Sequence, residues 1–285
     1  MSQENDPVLW AVVPGVSSGV GRAIALQLAS DPGLNVFGAH RGNYPDQANE
    51  LASAVRDADR RAEFYVGDAG TEEGVRDAAR HLREVAGPRS VHMFVHSIAN
   101  ASLGRFMPGG DGRYRQLQAR NLHKTFDSMA HSFVWWAQEL AALDLLAPGA
   151  RLLGLTNPIV DSIVNNFGVI NAAKAALEVY VRHLALEMGP LGYRVNLLNF
   201  GTVETPAAAI GFGEHWDQFK RICEQSTPAG RLLTGDEVAR FVSTLAGEAG
   251  AWFNGATIDM TGGQAQSILD AALYRDVGPS NSERR

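Results

Sequence analysis

Cysteine is nearly absent: Cys223 is the single thiol in 285 residues. One thiol cannot close an intramolecular disulfide or build a cysteine-based zinc cluster, and such sparing use fits a reducing compartment. A cytoplasmic setting is therefore expected. Long apolar runs are missing too, since no stretch reaches the roughly 18 residues of a membrane span. Residues 1–7 are polar and lack the basic start and apolar core of a secretory leader. Nor is there an excess of positive charge: 25 Lys and Arg stand against 31 Asp and Glu, a net charge of −6, with no basic stripe. Nucleic acid and membranes are thus excluded as expected partners. No spacing of His, Cys, Asp or Glu marks a metal site.

What remains is an ordinary globular profile, 45% hydrophobic and 20% charged. No repeat, low-complexity stretch or long linker interrupts residues 8–269. One domain is expected there, between short polar tails at 1–7 and 270–285. Within it, short β-branched or apolar runs alternate with longer amphipathic stretches. Strands are expected at 9–13, 35–39, 62–66, 91–96, 150–155, 193–200 and 256–260, and helices at 21–28, 46–57, 71–86, 117–145, 167–188 and 236–246. Asp46 and Thr71 are start signals for two of the helices. This alternation is the pattern of an α/β fold, a single Rossmann-type, doubly wound parallel sheet of about seven strands with helices on both faces. Its crossovers are right-handed and its ligands lie at the carboxyl ends of the strands.

The first strand runs into Pro14-Gly15-Val16-Ser17-Ser18-Gly19-Val20-Gly21 and then a helix. Glycines at 15, 19 and 21 let the backbone turn tightly and approach a pyrophosphate, while the helix amino end offers unpaired N–H groups. With a buried strand before it and an Ala-rich helix after it, this loop reads as a dinucleotide site rather than a plain turn. The second strand ends in His40 and Arg41, where an acidic residue would accept from a ribose 2′-hydroxyl and a basic one would pair with a 2′-phosphate. No carboxylate stands there, so NADP(H) is favoured over NAD(H), which stays possible. A solvated loop arginine is the plainer alternative. Asp68 and Ala69 close the third strand, with Asp68 a candidate acceptor for the adenine amino group. Ser97, Ile98 and Ala99 follow the fourth and would lie along the cofactor ribose. His96 reads as a buried histidine bonded to backbone rather than a catalytic one.

At these residues the chain resembles the short-chain dehydrogenase/reductase family over almost its whole length. The Gly15, Gly19, Gly21 spacing, Asp68, and Lys174 in a long helix all match it. So does Gly201-Thr202-Val203-Glu204-Thr205, which is similar to the loop that family places beside the nicotinamide, with Phe200 where a proline usually stands. Several stretches look most like enoyl-acyl-carrier-protein reductases: His96 to Ala99, Asp127 with Ser132-Phe133, Ala172 to Glu178, and Met188 to Asn196. The glycine loop departs from those reductases and has the spacing of the wider family. The resemblance implies Gly201, Val203, Thr205 and Lys174 as cofactor contacts and Lys174 as a catalytic residue.

That family places its catalytic Tyr four residues before the Lys, and enoyl reductases place theirs seven before. Those positions hold Ile170 and Phe167. Phe167 keeps the ring without the hydroxyl, so it can pack on a substrate and cannot donate a proton. Reduction of a ketone forms an alkoxide that needs that proton, and losing the donor removes roughly 10²-fold. Reduction of an enoyl thioester leaves a delocalised, less basic enolate. Enoyl reduction is therefore the preferred reading; keto reduction, and a cofactor-binding protein with redox-neutral or no catalysis, stay open. Thr156 falls where the family's catalytic Ser stands, and Thr156 or Asn157 could donate to a substrate oxygen, or simply form a strand-end turn closed by Pro158. Asn165 and Asn166 read as loop residues before oxyanion donors. Ser128 stands where the family often carries an Asn that holds a water near the Lys.

Residues 205–233 carry Ile210, Phe212, Trp216, Phe219 and Ile222. In the family this region is the substrate lid, and its apolar content suits an acyl or polyketide-like substrate, on acyl-carrier protein or coenzyme A. A helix pair covering core is the alternative. The run Phe126, Met129, Phe133, Trp136, Ala137, Leu140 is apolar nearly all round, which core burial alone would explain; the resemblance implies pairing of such helices between subunits, hence a homodimer or homotetramer.

Overall fold

The structure is a computed structural model and describes residues 8–108, 115–267 and 270–271. The tail at 1–7 and the tail residues after 271 lie outside the described residues. Seven strands, β1 (Trp10–Pro14), β2 (Asn35–His40), β3 (Ala62–Val66), β4 (Val91–His96), β5 (Leu146–Thr156), β6 (Arg194–Phe200) and β7 (Thr257–Met260), form one parallel sheet. Their order is β3-β2-β1-β4-β5-β6-β7. The chain first winds outward from β1 to β3, then returns to lay β4 on the other side of β1. That reversal opens a crevice at the carboxyl ends of β1 and β4.

Strand β1 is buried at every residue, because helices cover both faces of the sheet. On one face Trp10 and Val12 meet Leu82 of α3 (Glu72–Ala86), Phe133 and Trp136 of α5 (Ser132–Ala142) and Leu177 of α6 (Gly168–Met188). On the other, Ala11 and Val13 meet Ile24 and Leu28 of α1 (Gly19–Ser30), Leu51 and Val55 of α2 (Pro45–Asp57) and Val238 and Val242 of α9 (Gly235–Ala246). Thr71 caps α3, its Oγ1 accepting from Gly74 N at 3.1 Å, a bond worth about 1 kcal/mol. Asp46 is not a cap: Pro45 opens α2 and Asp46 lies inside its first turn.

Two expectations are corrected. The helix expected at 117–145 is α4 (Ala119–Phe126) and α5, joined by a π-turn at Asp127–His131. Apolar residues run from Phe126 at the end of α4 through Met129 to Phe133 of α5 against the same core, so periodicity does not reveal the wider turn between them. Strand β5 starts at Leu146, ahead of 150, because Pro148 and Gly149 interrupt its apolar pattern; the pairing with β4 shifts register at that point. Residues 206–226 are helical, α7 (Pro206–Phe212) and α8 (Trp216–Ser226). Among the described residues no helix is long and apolar enough to cross a membrane.

Candidate active site

A cleft of about 520 Å³ opens at the carboxyl ends of the strands. Gly15 leaves β1 at φ +89°, and a Cβ there would strike the Ser97 carbonyl, so the loops after β1 and β4 touch backbone to backbone. Gly19 opens α1 at φ +58°, with a Cβ position 3.3 Å from the Thr205 methyl. Gly15, Ser17, Ser18, Gly19 and Val20 line the cleft. Gly21 is not among the cleft-lining residues; its missing Cβ lets α1 pack on Ser97, whose Oγ would lie 2.8 Å away. Ser18 precedes α1 without a side-chain cap, which leaves first-turn N–H groups for an anion.

At one end of the cleft stand His40 and Arg41 after β2, and Asp68 and Ala69 after β3. His40 brings no charge to this end: its Nδ1 accepts from Gly42 N at 3.1 Å and burial lowers its pKa. Arg41 is the exposed cation beside it. Trp136 Nε1 of α5 donates to Ala69 O at 3.1 Å and so anchors the loop after β3 to the core on that face of the sheet. Tyr44, which precedes Pro45 of α2, also lines this end. Sequence reasoning passed over it, since nothing in the residues around Tyr44 shows which way its ring turns.

At the other end Lys174 of α6 is 7% exposed, and its Nζ donates to Leu155 O at 2.7 Å. Burial lowers its pKa to about 8, so the ammonium form prevails at neutral pH. His96 is fully buried next to it, and its Nε2 lies 2.7 Å from Ser132 Oγ. Ser132 gives its one proton to Ser128 O, so it must accept from His96, and Nδ1 is the bare nitrogen, without a partner. His96 is thus bonded to a side chain rather than to backbone as expected. Burial first, then the Lys174 charge, push its pKa to about 3, and it stays neutral.

Thr156 and Asn157 line the cleft, and both Thr156 Oγ1 and Asn157 Oδ1 are buried without a partner. Phe167 caps α6 instead of lying inside it; its ring faces the cleft and stacks on Phe212 at 4.9 Å and 27°. Phe212 stacks in turn on Phe219 at 3.6 Å and 12°, with Trp216 at 6.3 Å. Asn165 and Asn166 do not line the cleft. Neither does Tyr180, whose hydroxyl pairs with His131 Nδ1 at 3.2 Å. Ser128, inside the π-turn, donates to Asn100 O at 2.5 Å and holds the loop after β4.

Ser97, Ile98, Ala99, Gly201, Val203 and Thr205 complete the wall. Thr205 caps α7, its Oγ1 accepting from Ala208 N at 3.1 Å. The arrangement can take an elongated ligand with an anionic middle at the α1 amino end, an apolar end under the rings, and a cation between them. Among the described residues no cluster of metal-ligating side chains occurs.

A family model described as enoyl-(acyl carrier protein) reductase matches residues 15–265. The enoyl-(acyl-carrier-protein) reductase (NADH) of Escherichia coli is 34% identical over 173 residues, 60% of this chain and 62% of that protein. The chain therefore matches less than two thirds of that relative's length. The 1-cyclohexenylcarbonyl-CoA reductase of Streptomyces collinus is 25% identical over 269 residues, 94% of this chain and 90% of that one. A solved short-chain dehydrogenase/reductase from Serratia marcescens superposes with TM-score 0.76 at 25% identity, covering 91% of this chain and 99% of its own.

Proposed function

The chain belongs to the enoyl-(acyl carrier protein) reductase family of short-chain dehydrogenases/reductases, and from that premise we propose that it reduces an enoyl thioester or similarly activated alkene on an apolar acyl or polyketide-like substrate, with NADPH preferred to NADH. One observation carries the choice of reaction: Phe167, not a phenol, occupies the cleft beside Lys174, and its ring is stacked under Phe212. Ketone reduction needs a proton delivered as charge develops on oxygen; enolate formation does not.

The residues present fit a nicotinamide dinucleotide. Glycine at 15 and 19 lets the α1 loop pack against Ser97 and Thr205 on either side of the cleft, and the uncapped start of α1 suits a pyrophosphate. Arg41, with no carboxylate at the end of β2, suits a 2′-phosphate and underlies the NADPH preference. When bound, the cofactor supplies the hydride. Lys174 Nζ has one proton on Leu155 O and two left to orient ribose hydroxyls. Thr156 Oγ1, unsatisfied in the cleft, donates to the oxygen of the thioester as it gains charge; Asn157 serves the same oxygen only through its Nδ2 protons, since its bare Oδ1 is an acceptor. Residues 205–233 act as the lid of a single domain spanning 8–269. Their rings exclude water from the reacting carbon.

In this reading the substrate arrives on acyl-carrier protein or coenzyme A, and the protein works in the cytoplasm as a homodimer or homotetramer through the half-buried rings of Phe126, Trp135 and Tyr180. The test is titration with NADPH and NADH, followed by cofactor oxidation against enoyl and keto thioesters. Oxidation driven by enoyl thioesters, with tighter NADPH binding, supports the proposal. Oxidation driven only by keto thioesters, or tight binding with no oxidation, replaces it with the other readings.

A further inference from the structure

Beyond β7 the chain places Gln264 in a position that the fold alone does not require. It is 8% exposed, and both ends of its amide serve a single residue 62 positions earlier. Gln264 Oε1 accepts from Thr202 N at 3.0 Å, and Gln264 Nε2 donates to Thr202 Oγ1 at 2.9 Å. Thr202 Oγ1 passes its own proton to Cys223 Sγ on α8 at 3.3 Å. The Thr202 carbonyl accepts from Leu233 N at 3.2 Å. All the polar atoms of Thr202 are thereby held, by three separate segments.

Thr202 lies between Gly201 and Val203, and all three line the cleft at the end where Lys174 stands. Gly201 adds a second constraint, since a Cβ there would sit 3.1 Å from Thr261 O of the same post-β7 segment. Glu204, two residues on, pairs with Lys220 of α8 at 2.7 Å. The loop therefore touches α8 at two points and the segment after β7 at two others. A buried amide left half-satisfied costs more than a net hydrogen bond gains, so Gln264 tends to hold Thr202 at both atoms or at neither. That gives the loop two discrete arrangements in place of a continuum. Cys223 is 2% exposed, and burial raises its pKa, so the sulfur meets Thr202 as a neutral thiol.

We propose that Gln264 is a positioning residue that clamps residues 201–203 against the nicotinamide end of the cleft and, through Thr202 and Cys223, makes the placement of that loop move together with lid helix α8. The inference rests on the cofactor reading above, because it is the nicotinamide end, and not the adenosine end, that the clamp serves.

The test separates the two ends by binding. In Gln264→Ala, affinity for NADPH falls about tenfold, the scale of two lost hydrogen bonds, while affinity for 2′,5′-ADP, which fills only the adenosine end, stays within about twofold of the parent. In the cofactor-free protein, hydrogen exchange at the Thr202 amide and along α8 speeds up together. Gln264→Glu keeps an acceptor for the Thr202 N–H and restores protection of that amide. Should Gln264→Ala not fold, Thr202→Val replaces the hydroxyl with a methyl group of similar size and keeps the backbone N–H that Gln264 Oε1 accepts from, and faster exchange in α8 with a weaker hold on NADPH carries the same conclusion. Unchanged NADPH affinity and unchanged exchange overturn the clamp, as does an equal loss of NADPH and 2′,5′-ADP, which marks general destabilisation. A parent protein that binds neither NADPH nor NADH but shows α8 exchange coupled to Gln264 sinks the cofactor reading and the clamp's nicotinamide role, leaving only a loop-to-helix tie.

Discussion

At the glycine-loop end of the cleft the wall is backbone, with Gly15 pressed against the Ser97 carbonyl; at the apolar end it is three rings, Phe167 from the start of α6 and Phe212 and Phe219 from the neighbouring helices α7 and α8, with Trp216 against Phe212. The first kind of wall depends on atoms that are missing, and one added methyl has nowhere to go. The second depends on contacts between side chains that can repack. Lys174 stands where the two meet, tied to Leu155 O. The difference suggests which end fixes the ligand class and which is free to vary the substrate.

Four substitutions test that contrast. Lys174→Ala should have the largest effect, about a 100-fold loss in kcat/KM together with weaker cofactor binding, since it removes a buried charge from the junction. Its pH counterpart has a definite direction. Burial favours the neutral amine and brings the pKa to about 8, so the protonated form that donates to the cofactor is lost as pH rises through about 8 rather than near 10.5. Cofactor affinity measured against pH should fall with that midpoint, and a flat profile from pH 7 to 9 would remove Lys174 from the binding scheme.

Gly15→Ala comes next, at the backbone-built end. A positive φ and a blocked Cβ cost about 2 kcal/mol or more, read as a lower midpoint in urea and as lost cofactor affinity. A variant as stable and as tight as the parent would show that the loop yields more readily than the geometry allows. At the ring-built end, Phe167→Tyr restores the hydroxyl and should raise turnover of a keto thioester about tenfold from its basal level, with a smaller change for an enoyl thioester. Equal changes for both would break the argument from the missing phenol. The smallest effect belongs to Phe212→Ala. It unstacks Phe167 from Phe219 at a cost of about 1 kcal/mol, and raises KM a few-fold with kcat nearly constant. A change confined to kcat would contradict a role in holding substrate.

The same contrast explains what could be read from residues alone. The glycine loop was legible because its requirement is local: a strand, a turn without side chains and a helix start lie within a dozen residues. Even so, Gly21 serves helix packing rather than the cleft wall, since spacing does not tell which way an absent Cβ would point. The missing carboxylate after β2 was readable for the same local reason, whereas the neutrality of His40 depends on a bond to Gly42 N that only the folded turn creates. The π-turn at Asp127–His131 was hidden because apolar residues continue on both sides of it. The stack of Phe167 on Phe212, the His96 bond to Ser132 and the grip of Gln264 on Thr202 join residues 36 to 62 positions apart. No periodicity in a single chain encodes such pairings.

The solitary thiol gives the molecule a built-in stopwatch. Cys223 is 2% exposed on the inner face of α8, so a neutral maleimide reaches it only when that helix lifts, and every labelled chain records one such excursion at one known atom. The labelling rate, with ligand and without, then times the motion in the unaltered protein.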